Sequence, residues 1–466
     1  MNGYLVGYDV PGIQRYVFEP VRPLDIMGGS SLLERFAAQA ETLAHGFGAE
    51  TIYSAGGGGL FVAPNESTAD RLSKDLPKTL GSLTAGGASV VCTSVVLGGD
   101  FAEARTRLRR QLDEQRLAQL IDEPSEVLLP AGTRPDEVCQ ACGLELADRN
   151  STIGGGASQE TERIGPRCHA RRQEGRAQRK AASIPETIRD LFPRDEEDGG
   201  GGPEQLPRGA VLAALYLDGD GLGRRLGEIV DASKLRDVSN AVTSGVASSL
   251  QSISGNGTRD EATILTPVVG GDDVLVFCDA RRAAQLLEDL WSELERCVQL
   301  DGAPARFSAV IALSDPYLPL RLLFEEAKQG IKRAKERSRE TGTAHVELRS
   351  LMSGRLHGGR GTSLAGTPLP RDRFWGDRPS FRMLVDALAK VTPAQRSGMA
   401  DDLSEPSREL RDLLLDERAA REPERSRNVV QHVLDEARHL AEACNAASHD
   451  LLGAALAVVD IWEDRE

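Results

Sequence analysis

Pro267-Val-Val-Gly-Gly-Asp-Asp-Val-Leu-Val-Phe277 decides the fold. Two apolar runs flank Gly270-Gly271-Asp272-Asp273, the pattern of a β-hairpin with a tight turn. Glycine reaches the turn torsions that other residues resist. Two adjacent carboxylates at a hairpin tip call for a positive neighbour, and the hard cation Mg²⁺ prefers such oxygen ligands. Taken alone, the motif fits a solvated turn equally well.

A second acidic element lies upstream. Val211-Leu-Ala-Ala-Leu-Tyr-Leu217 reads as a buried strand that ends in Asp218-Gly219-Asp220-Gly221. Between it and the hairpin, Leu235, Val238, Val242, Val246, Leu250 and Ile253 form the apolar stripe of a long helix. Asp218 is therefore expected beside the hairpin on a neighbouring strand. Three carboxylates meeting there can hold two Mg²⁺ ions roughly 3.5–4 Å apart, the arrangement used for phosphoryl and nucleotidyl transfer.

Downstream, Ala283, Leu287, Leu290, Leu294 and Cys297 mark a helix, and Phe307 to Leu313 a strand. Leu320, Phe324, Ala327, Ile331 and Ala334 mark a further helix, whose other face aligns Lys328, Lys332 and Lys335. Most such lysines belong to a solvated face. Here they follow a predicted triphosphate site, where lysines grip phosphate. The order β-α-β-β-α-β is that of a ferredoxin-like palm, so the fold class is α+β.

Asp218-Gly-Asp, Gly270-Gly-Asp-Asp, and Pro319-Leu-Arg-Leu-Leu-Phe-Glu-Glu-Ala-Lys328 leading to Ile331-Lys-Arg-Ala-Lys335 resemble the cyclase palm of the large polymerase/cyclase subunit of type III CRISPR effector complexes. That palm is related to the GGDEF cyclases. The resemblance implies a nucleotidyltransferase that joins ATP into cyclic oligoadenylate second messengers in antiviral defence. It implies Asp218, Gly219, Asp272 and Asp273 around Mg²⁺ or Mn²⁺, with Asp218, Asp272 and Asp273 catalytic. Gly270, Gly271, Lys332 and Lys335 would meet the nucleotide. The implied partners are ATP, other CRISPR effector subunits, and crRNA with target RNA.

The chain has 466 residues, enough for several domains; it is 40% hydrophobic but only 4% aromatic, so its cores rest on aliphatic side chains. A net charge of −15 argues against sequence-independent grip of a nucleic-acid backbone by the whole surface. A local basic groove or an RNA-carrying partner subunit stays open. No targeting segment or apolar run of membrane-spanning length is apparent, so no membrane association is expected. Seven cysteines without a regular framework suggest a reducing cytosol, hence a cytoplasmic protein.

Residues 1–120 read as another palm. Tyr4 to Tyr8 is a strand ending at Asp9, and Leu32 to Leu43 a helix. Thr51 to Ala55 and Leu60 to Ala63 flank Gly56-Gly57-Gly58-Gly59, where the later hairpin has Gly-Gly-Asp-Asp. A helix, a strand from Ser89 to Leu97 and a helix from Phe101 to Leu120 complete the copy. An ordinary glycine-rich hairpin is the plain alternative. The CRISPR subunit likewise has two palms, with only the second catalytic; Asp9-Val-Pro-Gly-Ile-Gln-Arg-Tyr-Val-Phe18 and Gly28-Gly-Ser-Ser-Leu-Leu-Glu-Arg35 resemble its first. Ser30 and Ser31, at an expected helix start, are candidates for nucleotide contact, although capping also explains them.

Residues 121–190 read as a cysteine-containing, zinc-ribbon-like and helical insert. Cys139-Gln-Ala-Cys142 has zinc-knuckle spacing, and Cys168 follows with His169 beside it. The CRISPR subunits that this chain resembles often have a four-cysteine zinc site here, and the chain departs from that pattern: Gly165 stands where a second Cys-x-x-Cys needs its first cysteine. Either His169 or a nearby acid completes a Zn²⁺ site, or the zinc is lost. Arg171, Arg172, Arg176, Arg179 and Lys180 form a basic patch for RNA or a partner, or else a solvated helix. Residues 191–209 are a flexible acidic and glycine-rich linker. The catalytic GGDD palm takes residues 210–350.

Residues 351–466 read as a loop, Arg355 to Arg378, and a helical domain whose core candidates are Leu384, Leu388, Leu410, Leu413, Leu414, Val430, Val433 and Leu440. The resemblance implies that such a domain touches neighbouring subunits. His449-Asp450 is read as incidental. The family's His-Asp nuclease domain would precede the first palm, and no metal-dependent DNase activity is expected. Two alternatives remain: a stand-alone cyclic di- or oligonucleotide synthase in phage defence, acting as a self-dimer, and a non-catalytic RNA- and protein-binding scaffold.

Overall fold

The computed structural model describes residues 3–122, 129–153, 160–179, 184–193, 206–207, 209–254, 264–352, 364–365, 367–375, 380–403 and 408–462. Most of the expected linker, 194–205 and 208, falls outside these residues. The chain divides into two compact units: Met1–Leu206 with Gly221–Val274 and Arg296–Pro304, and Pro207–Asp220 with Leu275–Glu295 and Ala305–Glu466.

The first palm runs β1 (Tyr4–Asp9), α1 (Ile13–Val17), α2 (Pro23–Gly46), β2 (Glu50–Ala55), β3 (Gly58–Ala63), α3 (Glu66–Leu83), β4 (Val91–Val96) and α4 (Phe101–Asp122). Its antiparallel sheet has the order β2-β3-β1-β4. Alternation along each strand sends side chains to opposite faces. Val6, Tyr8 and Phe61 pack with Phe36 and Ala40 of α2 and with Leu72, Leu76 and Leu80 of α3. Leu5, Ile52, Leu60 and Val95 face the other way, onto Ala104 and Leu108 of α4 and onto Leu235.

Helix α2 starts at Pro23, nine residues earlier than the sequence suggests. Ser30 and Ser31 therefore lie inside it, both buried, rather than at its start. The insert explains why two glycines sit mid-helix. It comprises the hairpin β5 (Arg149–Ile153) and β6 (Glu160–Ile164) and helix α5 (Pro166–Arg179), which packs on α2. A Cβ at Gly28 would stand 1.8 Å from the Arg171 carbonyl oxygen, and one at Gly175 2.3 Å from that of Leu24. Both obstacles are backbone. Gly28→Ala should thus destabilise the first unit by about 1–3 kcal/mol or more, read as a lower unfolding midpoint.

The expected basic patch on α5 is not a patch. Arg171 and Arg172 are fully buried. Arg172 donates to both Asp25 oxygens at 2.8 and 2.6 Å and pairs with Glu162 at 2.7 Å. Arg171 reaches Glu19 at 2.6 Å. Arg176 donates to the Thr152 carbonyl and Arg179 to Glu186. Lys180 lies outside the described residues.

The second palm runs β7 (Leu212–Gly219), α6 (Leu222–Glu228), α7 (Ala232–Ser254), β8 (Leu265–Gly270), β9 (Asp273–Asp279), α8 (Ala283–Cys297), a short pair β10 (Gln299–Leu300) and β11 (Ala303–Pro304), β12 (Phe307–Ser314), α9 (Leu320–Thr341) and β13 (His345–Ser350). Its seven-stranded sheet follows the path β8-β9-β7-β12-β13-β14, where β14 is Leu364–Ala365 and β15 (Leu369–Pro370) also pairs with β13. The first four strands repeat the first palm's order. Strand β7 is antiparallel to β12, and β13 runs parallel to β12. The predicted stripes hold: Leu287, Leu290 and Leu294 of α8, and Leu320, Phe324, Ala327, Ile331 and Ala334 of α9, are all buried.

The stretch expected as a loop contains β14, β15 and α10 (Arg371–Phe374). The helical domain is α11 (Phe381–Ala389), α12 (Pro393–Leu403), α13 (Arg408–Arg421), α14 (Glu424–Cys444) and α15 (Ser448–Trp462). Leu384, Leu388, Val430, Val433 and Leu440 are buried as expected; Leu413 is 55% exposed, and Leu415 takes the core position. Leu414 is half-buried, and the Leu410 side chain lies outside the described residues. The Trp462 indole donates to the Ala280 carbonyl at 2.8 Å and stacks edge-on with Phe374, Trp375 and Phe381. His449 is buried in α15 beside Asp450, at 3.6 Å. No helix among the described residues is long and apolar enough to cross a membrane.

Candidate functional site

Strand β7 ends one carboxylate, Asp218, beside the turn that joins β8 to β9. Gly271 occupies that turn with φ +64°, the left-handed torsion that glycine tolerates. Asp272 completes the turn and Asp273 opens β9. Each of Asp218, Asp272 and Asp273 is half-buried and offers a carboxylate oxygen within 4.8 Å of the others. The sequence-predicted triad is thus one cluster.

Helix α9 supplies the cation. Lys335 Nζ lies 2.6 Å from Asp218 Oδ1. Burial pushes the Asp218 carboxyl above its usual range; Lys335 pulls it down, and the Asp220 charge adds to the upward shift. Lys332, one turn earlier, is exposed, and Lys328 sits 3.5 Å from Glu325. Gly219 ends β7 opposite Phe307 of β12.

Asp220 was not singled out from the sequence, yet it fixes this corner. Its carboxylate accepts from Ser308 of β12 at 2.8 and 3.1 Å and from Ser338 of α9 at 2.7 Å. Ser338 is one turn beyond Lys335, so the same contact sets the height of Lys335 over Asp218. Replacing Ser338 with Ala leaves a carboxylate oxygen of Asp220 short of a donor. The variant should lose about 1.5–3 kcal/mol of stability in chemical denaturation.

The first palm keeps half of this arrangement. Asp9 ends β1 as Asp218 nearly ends β7, and Arg116 Nε lies 3.3 Å from Asp9 Oδ2. Arg116 is fifteen positions after the start of α4, and Lys335 fifteen after the start of α9. The carboxylate–cation pair therefore persists in both copies. The hairpin differs. Strand β2 ends at Ala55 and β3 begins at Gly58, so Gly57 and Gly58 stand where the second copy has Asp272 and Asp273. This register is one residue off the four-glycine alignment read from sequence. Gly56 and Gly57 have φ +60° and +80°, as a two-residue hairpin loop requires.

The insert holds a second cluster. Cys139, Cys142 and Cys168 converge, and the fourth group within reach is Glu145, not His169. Adjacent positions on a helix diverge by about 100°. With Cys168 turned inward, His169 faces a different direction and is not among the groups that converge on the cysteines. The Cys142 and Cys168 sulfurs hold the Cys139 thiol far below its ordinary range. All seven cysteines are free.

Residues 211–343 match the family model of the Cas10/Cmr2 second palm domain. Among curated proteins, none matches the sequence significantly. Several solved structures share the fold. Csm1 of T. onnurineus is similar with a TM-score of 0.54 at 15% identity, covering 100% of this chain and 70% of that one. The Csm1–Csm4 cassette in complex with pppApApA gives a TM-score of 0.56 at 14% identity, covering 99% and 70%. The same cassette in complex with one ATP gives 0.54 at 14% identity, with the same coverage. Matched segment, strand order and acid-tipped hairpin agree: residues 211–343 form a second palm domain of the Cas10/Cmr2 family, in a chain with the α+β fold of a Cas10-type subunit.

Proposed function

We propose that the second palm is a nucleotidyltransferase that joins ATP into cyclic oligoadenylates as part of a type III CRISPR antiviral effector. One observation carries the reading: the carboxylates of Asp218, Asp272 and Asp273 meet within 4.8 Å at the end of one sheet. An all-oxygen donor set suits Mg²⁺ or Mn²⁺. Bound there, such ions lower the pKa of a ribose hydroxyl and offset charge on the transferred and leaving phosphates.

The chain's own residues bind and orient. Lys335 neutralises Asp218 and is positioned to share its charge with a triphosphate. Lys332, exposed one turn away on the same helix, gives a second phosphate contact. Gly270 and Gly271, lacking side chains, let a nucleotide approach the hairpin backbone. Ser30 and Ser31, buried in the interior of helix α2 with the Ser31 hydroxyl donating to Glu174 at 3.2 Å, are kept as candidates for nucleotide contact on the resemblance alone. On the resemblance, Gly219 would offer a backbone carbonyl to the metal.

The similar Csm1 structures contain Csm4, ATP and oligoadenylates. We extend this to other effector subunits, with crRNA and target RNA, as partners of this chain. Its net charge of −15 favours RNA held by those subunits rather than by its own surface. The test is incubation with ATP and Mg²⁺ or Mn²⁺, with and without partner subunits and target RNA, followed by chromatography. Cyclic oligoadenylate that requires RNA and partners supports the proposal. Product from the lone chain identifies a stand-alone synthase, and no product under any condition overturns the enzymatic reading.

A further inference from the structure

The resemblance to the type III CRISPR subunits implies a four-cysteine zinc site in this insert; we infer that in this chain Glu145 replaces the fourth of those cysteines, the one a paired Cys-x-x-Cys ribbon would have at position 165, so that Cys139, Cys142, Cys168 and Glu145 hold the metal. The four donor groups lie within 4.8 Å of one another. A tetrahedral zinc with thiolate and carboxylate ligands spaces its donors about 3.3–3.8 Å apart, which this cluster accommodates.

Three observations point to this set. The space of a side chain at Gly165 is taken by Glu145: a Cβ there would meet the Glu145 carboxyl carbon at 2.3 Å and its Oε1 at 2.6 Å. The carboxylate thus stands where a residue-165 thiol would have been. The loop is also shaped as a metal knuckle. The Leu144 amide donates to Cys142 Sγ at 3.5 Å, and Gly143 takes φ +72° directly after the cysteine. Finally, the Arg171 guanidinium, fully buried, lies 3.6 Å from Cys168 Sγ. Three thiolates and a carboxylate around Zn²⁺ carry a net negative charge, which this cation, also paired with Glu19, offsets in part.

Glu145 has a second task. Its Oε1 accepts from the Cys168 amide at 3.1 Å and its Oε2 from the Arg167 amide at 3.3 Å, at the first turn of α5. A pure helix cap is the competing explanation, and it needs no metal. The two separate by experiment.

The test is zinc content and chelator-driven zinc release on the folded full chain, with absorption of the cobalt-substituted protein. Wild type should carry one zinc per chain, with a cobalt charge-transfer band of three-thiolate intensity. Glu145→Gln retains a hydrogen-bond acceptor at the helix start but is a poor ligand. It should release zinc at least about tenfold faster, since even outer partners of ligands cost 10–100-fold in affinity. Glu145→Ala combined with Gly165→Cys should regain zinc retention and raise the cobalt band to four-thiolate intensity. Folded wild type without zinc, or release and cobalt spectra unchanged by Glu145→Gln, would overturn the inference and leave Glu145 a helix cap. None of these readouts depends on nucleotide chemistry.

Discussion

Converting Asp272 and Asp273 together to Asn lowers oligonucleotide formation from ATP by at least about a thousandfold, on the scale that removing transition-state charge stabilisation costs. The reason is local. Asn keeps the shape of Asp but neither the charge nor the pair of anionic oxygens that a hard cation requires. Both residues are half-buried at the end of a hairpin whose strands remain intact. The unfolding midpoint of the variant should therefore stay close to that of wild type, since substitutions away from core and buried networks usually fall within about 0.5 kcal/mol. Product chromatography beside thermal unfolding checks both halves. A double variant that retains more than a tenth of the wild-type rate would remove the hairpin from the catalytic site.

Replacing Arg172 with Met is expected to be the most damaging substitution for stability. Arg172 and Asp25 are both fully buried, and the fork of the guanidinium meets both carboxylate oxygens. Removing the cation strands Asp25 and leaves Glu162 with less compensation, a loss of about 3–5 kcal/mol for a broken buried pair. The chain has two compact units, so the measurement is the midpoint of the transition that reports the first of them. Asp25→Asn added to Arg172→Met removes the stranded charge and should recover part of the loss. Equal midpoints for the single variant and wild type would show the pair to be dispensable.

Elements with strong local signals were legible in the sequence. The second palm could be read because its strands are continuous apolar runs, its helices carry clear stripes, and its turn is marked by glycine and acid. The convergence of Asp218 with the hairpin followed from strand order. The start of α2 was hidden because Gly28-Gly29 looks like a break. Gly28 answers to α5, some 140 positions on, whose backbone leaves no room for a Cβ, while a Cβ at Gly29 would meet only ordinary contacts. The arginines of α5 were misread for a related reason: charge counts show no partners, and Asp25, Glu19 and Glu162 arrive from distant segments. Glu145 escaped notice as a cluster member because a ribbon pattern directs attention to position 165. The clue was Gly165 itself, an empty place that some other donor must fill. Asp220 went unremarked because its serine partners lie on two later elements.

The Gly56-Gly57 turn of the first palm bears on how the two copies parted. A Cβ at Gly57 would fall 1.7 Å from the Ile13 Cδ1 methyl, on a backbone at φ +80°. Restoring an acid there must displace a hydrophobic plug and strain the main chain by about 1–3 kcal/mol. A carboxylate is therefore disfavoured at Gly57, whereas a Cβ at Gly58, the counterpart of Asp273, would meet only the Tyr8 carbonyl oxygen at 3.5 Å. The first palm's turn is thus shaped for glycine at the very position where its counterpart carries Asp272, and the duplicated architecture presents its acidic hairpin from one half only.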